Sequence, residues 1–196
     1  MRDDPAPVGT RRYAWPVTDT RPGPRVRLRD VTVADADLFD ELRRREKSDG
    51  GFNDFGIEPE PVDRRQLANG PLSSEHRGVL LVERVGDGRV IGTVAWHLAR
   101  YGPSPGSNAW NVGIDLVPEA RGRGFGTEAQ RLLAEYLFET TSVNRVEAST
   151  DVDNVAEQRS LEKAGFTREG VNRGAQFRAC AYHDLVLYSK LRSDPR

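Results

Sequence analysis

The sequence predicts an α/β fold: a mixed, mostly antiparallel sheet with one parallel strand pair and flanking helices. Three stretches carry that expectation. Trp110-Asn111-Val112-Gly113-Ile114-Asp115 reads as a strand, and Ala129, Leu132, Leu133, Tyr136 and Leu137 follow at the spacing of one helix face. Arg145 to Thr150 reads as a second strand, which completes a strand–helix–strand unit. Upstream, the apolar runs Val79 to Val85 and Val90 to Leu98 flank Gly86-Asp87-Gly88, the pattern of an antiparallel hairpin.

In chain order, residues 1–24 are rich in Pro, Arg and Asp and are expected to form a flexible extension. Tyr13, Ala14, Trp15 and Pro16 interrupt it, either as a docking contact for the domain or a partner subunit, or as loose aromatics. The folded domain is expected over 25–192, with 193–196 as a tail. Arg25 to Arg29 alternates apolar and polar residues, as a half-buried strand does. Thr32 with Asp35 resembles a capping box and opens a helix with Leu38, Phe39 and Leu42 facing inward. The acid-rich segment 47–60, with Phe52 and Phe55, is long for a connection and is expected to line an acceptor pocket. A short helix follows near Asp63 to Asn69. Beyond the central unit, Val155 to Ala164 reads as a helix closed by Gly165, and Cys180 to Tyr188 as a last strand. Phe166 to Gly170 is read only as the exit from that helix.

Composition narrows the function classes. The 196 residues suit one domain with a sizeable core. A formal net charge of −1 gives no push toward nucleic acid. Lys47, Lys163 and Lys190 are the only lysines among 29 basic residues, which leaves 26 arginines. A single cysteine, Cys180, excludes an intrachain disulfide and fits a reducing interior. No apolar run approaches the ~20 residues that span a bilayer. A cytoplasmic protein, with neither membrane nor metal as partner, is expected.

Chemistry concentrates between the strand at 110–116 and the helix that follows. Arg121-Gly122-Arg123-Gly124-Phe125-Gly126-Thr127 is a Gly-rich loop at a helix start, where backbone N–H groups lack intrahelical partners and the dipole favours anions. Such a loop suits a phosphate or pyrophosphate. It lacks the Gly-Lys-Ser/Thr ending of a Walker loop, and Ala129 occupies the third Rossmann position.

Arg121-x-x-Gly124-x-Gly126 resembles the acyl-CoA loop of the GNAT family of N-acetyltransferases. Asn154, the run Leu161-Glu162-Lys163-Ala164-Gly165-Phe166 and the close Tyr182-His183-Asp184-x-x-x-Tyr188 follow in the family's order. The last two resemble its RimJ/RimL-like, ribosomal-protein-alanine branch. The resemblance runs from Arg25 to Leu191. It implies a sheet whose two parallel strands splay apart to admit the pantetheine arm of acetyl-CoA, the co-substrate. It places Ile114, Asp115, Leu116 and Val117 along that arm, and Arg121, Gly122, Arg123, Gly124, Phe125, Gly126 and Thr127 around the pyrophosphate. Asn154 would bond the arm, cap the next helix, or both. Lys163 would reach the adenosine phosphate or remain solvated.

The implied reaction is direct acetyl transfer to a primary amine. A backbone N–H of Leu116 or Val117 would polarise the thioester carbonyl. The family's usual acid positions here hold Leu161 and Glu157 instead of Tyr and Ser. The acid is then dispensable, or Ser160 or Tyr182 supplies it. His97 and His183 are the base candidates, with His183 otherwise held structurally by Asp184, and Asp115 either a further base or a solvent-facing side chain. Glu128 reads as structural at its helix start. The acceptor is a protein N-terminus or a small amine such as a polyamine or an antibiotic, and a homodimer is left open. The competing readings are a non-catalytic acyl-CoA-binding module and an acyltransferase using another acyl-CoA.

Overall fold

The computed structural model describes residues 22–49 and 51–195. The expectations for Tyr13, Ala14, Trp15 and Pro16, and for most of the extension, lie outside the described residues. The strands are β1 (Val26–Arg29), β2 (Arg77–Arg84), β3 (Val90–Arg100), β4 (Asn108–Leu116), β5 (Arg145–Asp151), β6 (Thr167–Arg178) and β7 (Ala181–Leu191). The helices are α1 (Ala36–Asp49), α2 (Arg64–Asn69), α3 (Phe125–Thr140) and α4 (Val155–Lys163). One seven-stranded sheet runs in the order β1-β2-β3-β4-β5-β7-β6. Every neighbouring pair is antiparallel except β4 and β5. This is the mixed sheet that the sequence predicts.

The core forms where α3 lies on the sheet. Ala129, Leu133, Ala134 and Leu137 are fully buried on its inner stripe, and Trp96 of β3 meets Tyr136 edge-on at 6.1 Å. Burying each of the two leucines stabilises the fold by about 1.5–3 kcal/mol. Alternation along β3 puts Val94 and Trp96 on the α3 side and Thr93, Ala95 and His97 on the other. Glu128 ties the two ends of the layer: its Oε1 accepts from the N–H groups of Arg25 and Val26 at 2.8 and 3.0 Å. Its structural reading is consistent with these bonds.

Three expectations about elements need correction. Leu38 does not face inward; it is 38% exposed, and Ala36, Phe39 and Leu42 form the buried stripe of α1. Cys180 does not begin a strand. It follows Ala179 in a tight turn between β6 and β7, and both residues have positive φ, 48° and 60°. The segment read as the exit from α4 instead becomes the start of β6, an edge strand paired only with β7. A two-residue hairpin turn with positive φ at both positions favours Asn-Gly, and L-residues with a Cβ are disfavoured there. Replacing Ala179 and Cys180 together by Asn and Gly is therefore expected to stabilise the protein by about 1 kcal/mol, read as a raised urea midpoint with an unchanged slope.

Candidate active site

The site begins where a ladder stops. β4 and β5 pair only at Trp110↔Val146 and Asn111↔Glu147. Beyond that point both strands continue, to Leu116 and Asp151, without pairing to each other. On the other side β4 stays paired with β3 from Asn108 to Leu116. The N–H of Val117 donates to the carbonyl of Ile91 at 3.0 Å. Antiparallel ladders alternate hydrogen-bonded and non-bonded pairs, so residues 115 and 113 also bond β3, while 112, 114 and 116 turn their backbone groups toward β5. Past Val112, whose N–H closes the last rung with the Glu147 carbonyl, the unpaired edge of β4 thus presents the amides of Ile114 and Leu116 to the gap.

A cavity of about 920 Å³ fills this gap, walled by β4, β5, the Gly loop and α4. At its mouth Gly122 and Gly124 have φ of +71° and +80°, so they turn the chain as only glycine does readily. Gly124 is the N-cap of α3, and the first helical amides follow at Phe125, Gly126 and Thr127. Nested amides and a helix start make an anion cradle. Arg121 folds back on β4: its Nε donates to the Leu116 carbonyl at 2.8 Å, and its Nη2 is 3.6 Å from Asp115 Oδ1. Asn154 caps α4, accepting from the Glu157 N–H at 3.2 Å, and lines the same cavity. Ser160 lies opposite Thr127, with hydroxyl oxygens 3.1 Å apart.

A second cavity, about 740 Å³, lies on the α1–α2 side of the sheet. Thr93, Ala95, His97, Asn111, Gly113 and Asp115 form its sheet wall, and residues of α1, α2 and the segment 60–63 face them. Asn53, Gly113, Ile114 and Asp115 line both cavities. The end of β4 is therefore the neck between a chamber walled by the Gly loop and α4 and a chamber walled by His97, α1 and α2. Phe52 and Asn53 bring the segment 47–60 to the cavity walls.

Several candidates stand elsewhere than expected. Asp115 is not turned to bulk solvent; its side chain is 11% accessible, at the neck. Val117 is not available to polarise a carbonyl, because Ile91 uses its N–H, which leaves Leu116. Tyr182 is 74% exposed, meets Phe177 edge-on at 5.2 Å and lines neither cavity. His183 lines neither as well. Its partner is not Asp184, since neighbours on a strand point to opposite faces. Its Nδ1 is 3.5 Å from Asp151 Oδ2 and its Nε2 donates to the Arg178 carbonyl at 3.2 Å. Asp184 accepts instead from the Gly174 N–H at 2.7 Å. His97 does face the second cavity.

Two groups were not assigned a site role from sequence. Arg178 and Asp151 form a buried ion pair, and Arg178 also contacts Gly51 and Phe52 of the segment 47–60. Glu157, noted only as a departure from family pattern, lines the large cavity against buried Gln130. Its placement on the cap of a helix after a strand was readable; its burial was not.

A model of the acetyltransferase (GNAT) domain matches residues 25–167. The chain belongs to the GNAT acetyltransferase family. YoaA of Bacillus subtilis, an uncharacterized N-acetyltransferase, is 31% identical over 120 residues, 60% of this chain and 65% of YoaA. YdaF of the same organism, provisionally named a ribosomal N-acetyltransferase, is 31% identical over 134 residues, 68% of this chain and 67% of YdaF. The chain thus spans about two thirds of the length of these relatives. In fold it is similar to RimL, the ribosomal L7/L12 α-N-protein acetyltransferase solved with coenzyme A. That likeness has a TM-score of 0.72 at 17% identity and covers 88% of this chain and 97% of the other. Among the described residues no helix is long and apolar enough to cross a membrane, and no cluster of His, Cys, Asp and Glu is placed to hold a metal.

Proposed function

We propose that this GNAT protein transfers an acetyl group from acetyl-CoA directly to a primary amine, and that the amine is a protein N-terminus. The observation that carries the reading is the ladder that ends at Asn111↔Glu147, opening a gap between two cavities at the end of β4. The residues present fit acetyl-CoA: nested amides at Gly122 and Gly124 for the pyrophosphate, and an unpaired β4 edge for the amides of the arm. When bound, acetyl-CoA supplies an activated acyl group as a thioester. Ile114 pairs with the arm as a neighbouring strand would, and the Leu116 N–H holds the thioester oxygen. Asp115 attracts the incoming ammonium at the neck. His97, on the wall of the second cavity, takes its proton as the general base. The protein acceptor is supported by the likeness to RimL, a ribosomal-protein acetyltransferase, and to YdaF, provisionally named a ribosomal N-acetyltransferase. A small cationic amine is the second reading, supported by Glu60, Asp63 and Asp115 along the acceptor cavity.

The test combines calorimetric titration of CoA with release of free CoA thiol against peptides bearing a free α-amino group, their Nα-blocked forms, polyamines and aminoglycosides. CoA binding and turnover of the unblocked peptides are expected. Turnover of small amines alone would replace the acceptor. CoA binding with no turnover of any amine would leave a binding module in place of an enzyme.

A further inference from the structure

Of the carboxyls that line the large cavity, Asp115 lies beside Arg121 and Glu128 accepts from the backbone N–H groups of Arg25 and Val26, whereas Glu157 is set against the side-chain amide of Gln130. Its backbone is fixed by the Asn154 cap. Its Oε1 accepts from Nε2 of Gln130, which is 2% exposed on α3. Gln130 Oε1 in turn accepts from the Ser160 hydroxyl at 3.4 Å, and Ser160 contacts Thr127 at 3.1 Å. A polar row therefore crosses the α3–α4 seam from the Gly loop to the Glu157 carboxyl.

The charged groups around the cavity do not compensate Glu157. On β4, Asp115 is beside Arg121; on α3, Arg131 pairs with Glu135 at 2.8 Å; on α4, Arg159 and Lys163 line the wall. Among the described residues none forms an ion pair with Glu157. Burial is the main influence on the carboxyl and pushes it up to about 7, opposed by the Gln130 hydrogen bond. The first-turn position on α4 also favours the carboxylate, so both forms remain accessible.

We propose that Glu157 is the general acid that protonates the departing thiolate in the acetyl transfer. The inference rests on the acetyltransferase reading above. The C–N bond forms as the C–S bond breaks. The ammonium loses one proton to the base before attack and a second from the acylated nitrogen. Glu157 gives its proton to sulfur, becomes a carboxylate, and is reprotonated from solvent, so one proton is released per turnover. A carboxyl titrating near neutrality is matched to a thiol with a pKa of about 8.5. The Ser160 hydroxyl donates to Gln130 Oε1, and Tyr182 stands outside the cleft walls.

Two measurements test this. In turnover, Glu157→Gln is expected to lower kcat by about 100-fold, with CoA affinity and melting temperature close to wild type. The wild-type rate should fall at alkaline pH as Glu157 loses its proton; that limb should vanish in E157Q and persist, weakened, in E157D. Independently of turnover, infrared titration of the protein with acetyl-CoA bound should show a carboxyl band, absent from E157Q, that disappears through a midpoint near or above neutrality. A midpoint in the ordinary carboxylate range, or an unchanged kcat and alkaline limb in E157Q, would overturn the assignment. Turnover of no amine would refute the acetyltransferase reading, while the titration still decides the state of Glu157.

Discussion

Gly126→Val is expected to weaken CoA binding by at least about 100-fold, or about 2.7 kcal/mol, while the protein stays folded. A Cβ at Gly126 would stand 3.5 Å from Leu116 Cδ1, 3.6 Å from Ser160 Oγ and 3.7 Å from Ile114 Cδ1, all ordinary contacts. The residue is helical, in the first turn of α3, and valine is a somewhat better helix former than glycine. The fold therefore accepts the first carbon. The two γ-methyls extend from a cavity wall between β4 and α4, where the pantetheine arm and pyrophosphate are proposed to lie close to backbone. Gly124→Val is a poorer probe, because its φ of +80° strains any side chain and its Cβ would stand 2.8 Å from Arg25 Nη1. Calorimetry with CoA, alongside a thermal melt, checks the expectation. A G126V protein that melts normally and binds CoA as wild type does would remove the Gly loop from the cofactor site.

That loop was legible because its parts are contiguous: a strand, glycines and a helix start are read from adjacent residues. The hairpin β2–β3 was legible for the same reason, with Gly86 and Gly88 marking the turn. The hairpin β6–β7 was not. Its turn is Ala179-Cys180, which carries no turn signature, and β6 is exposed along nearly all its length, so no apolar alternation marks it. Gly170 and Gly174 and two register irregularities dilute the pattern further. Edge strands with polar residues on both faces resist pairing with other chains and, for the same reason, resist recognition. In the site, the cap role of Asn154 was readable from spacing. The partners of His183 were not, because Asp151 and Arg178 reach it only through the pairing of β5, β6 and β7. The burial of Glu157 depends on Gln130, 27 residues away and one helix over.

Arg178→Ala is expected to cost about 3–5 kcal/mol of stability, because it leaves the Asp151 carboxylate buried without its partner. The two side chains are 6% and 2% exposed, so solvent does little to replace the lost charge. Arg178 also reaches forward. Its Nη1 donates to the Gly51 carbonyl and its guanidinium lies over the Phe52 ring at 5.4 Å. Asp151 in turn holds the bend into α4, accepting from the Asp153 N–H at 2.8 Å. One ion pair thus links the ends of β5 and β6 to the loop that carries Phe52 and Asn53 onto the cavity walls. Two consequences separate. Removing both charges, Arg178→Met with Asp151→Asn, should recover most of the stability, since no uncompensated charge remains and an amide oxygen still accepts from the Asp153 N–H. It should not recover acceptor binding, because the contacts to Gly51 and Phe52 are still missing. Arg178→Lys should fall between, keeping the charge and losing the planar fork and the stacking. Urea midpoints give the first comparison and the acceptor KM the second. If the double variant is as unstable as R178A, the ion pair is not what the fold loses. If its KM returns to the wild-type value, the loop is positioned by something other than Arg178.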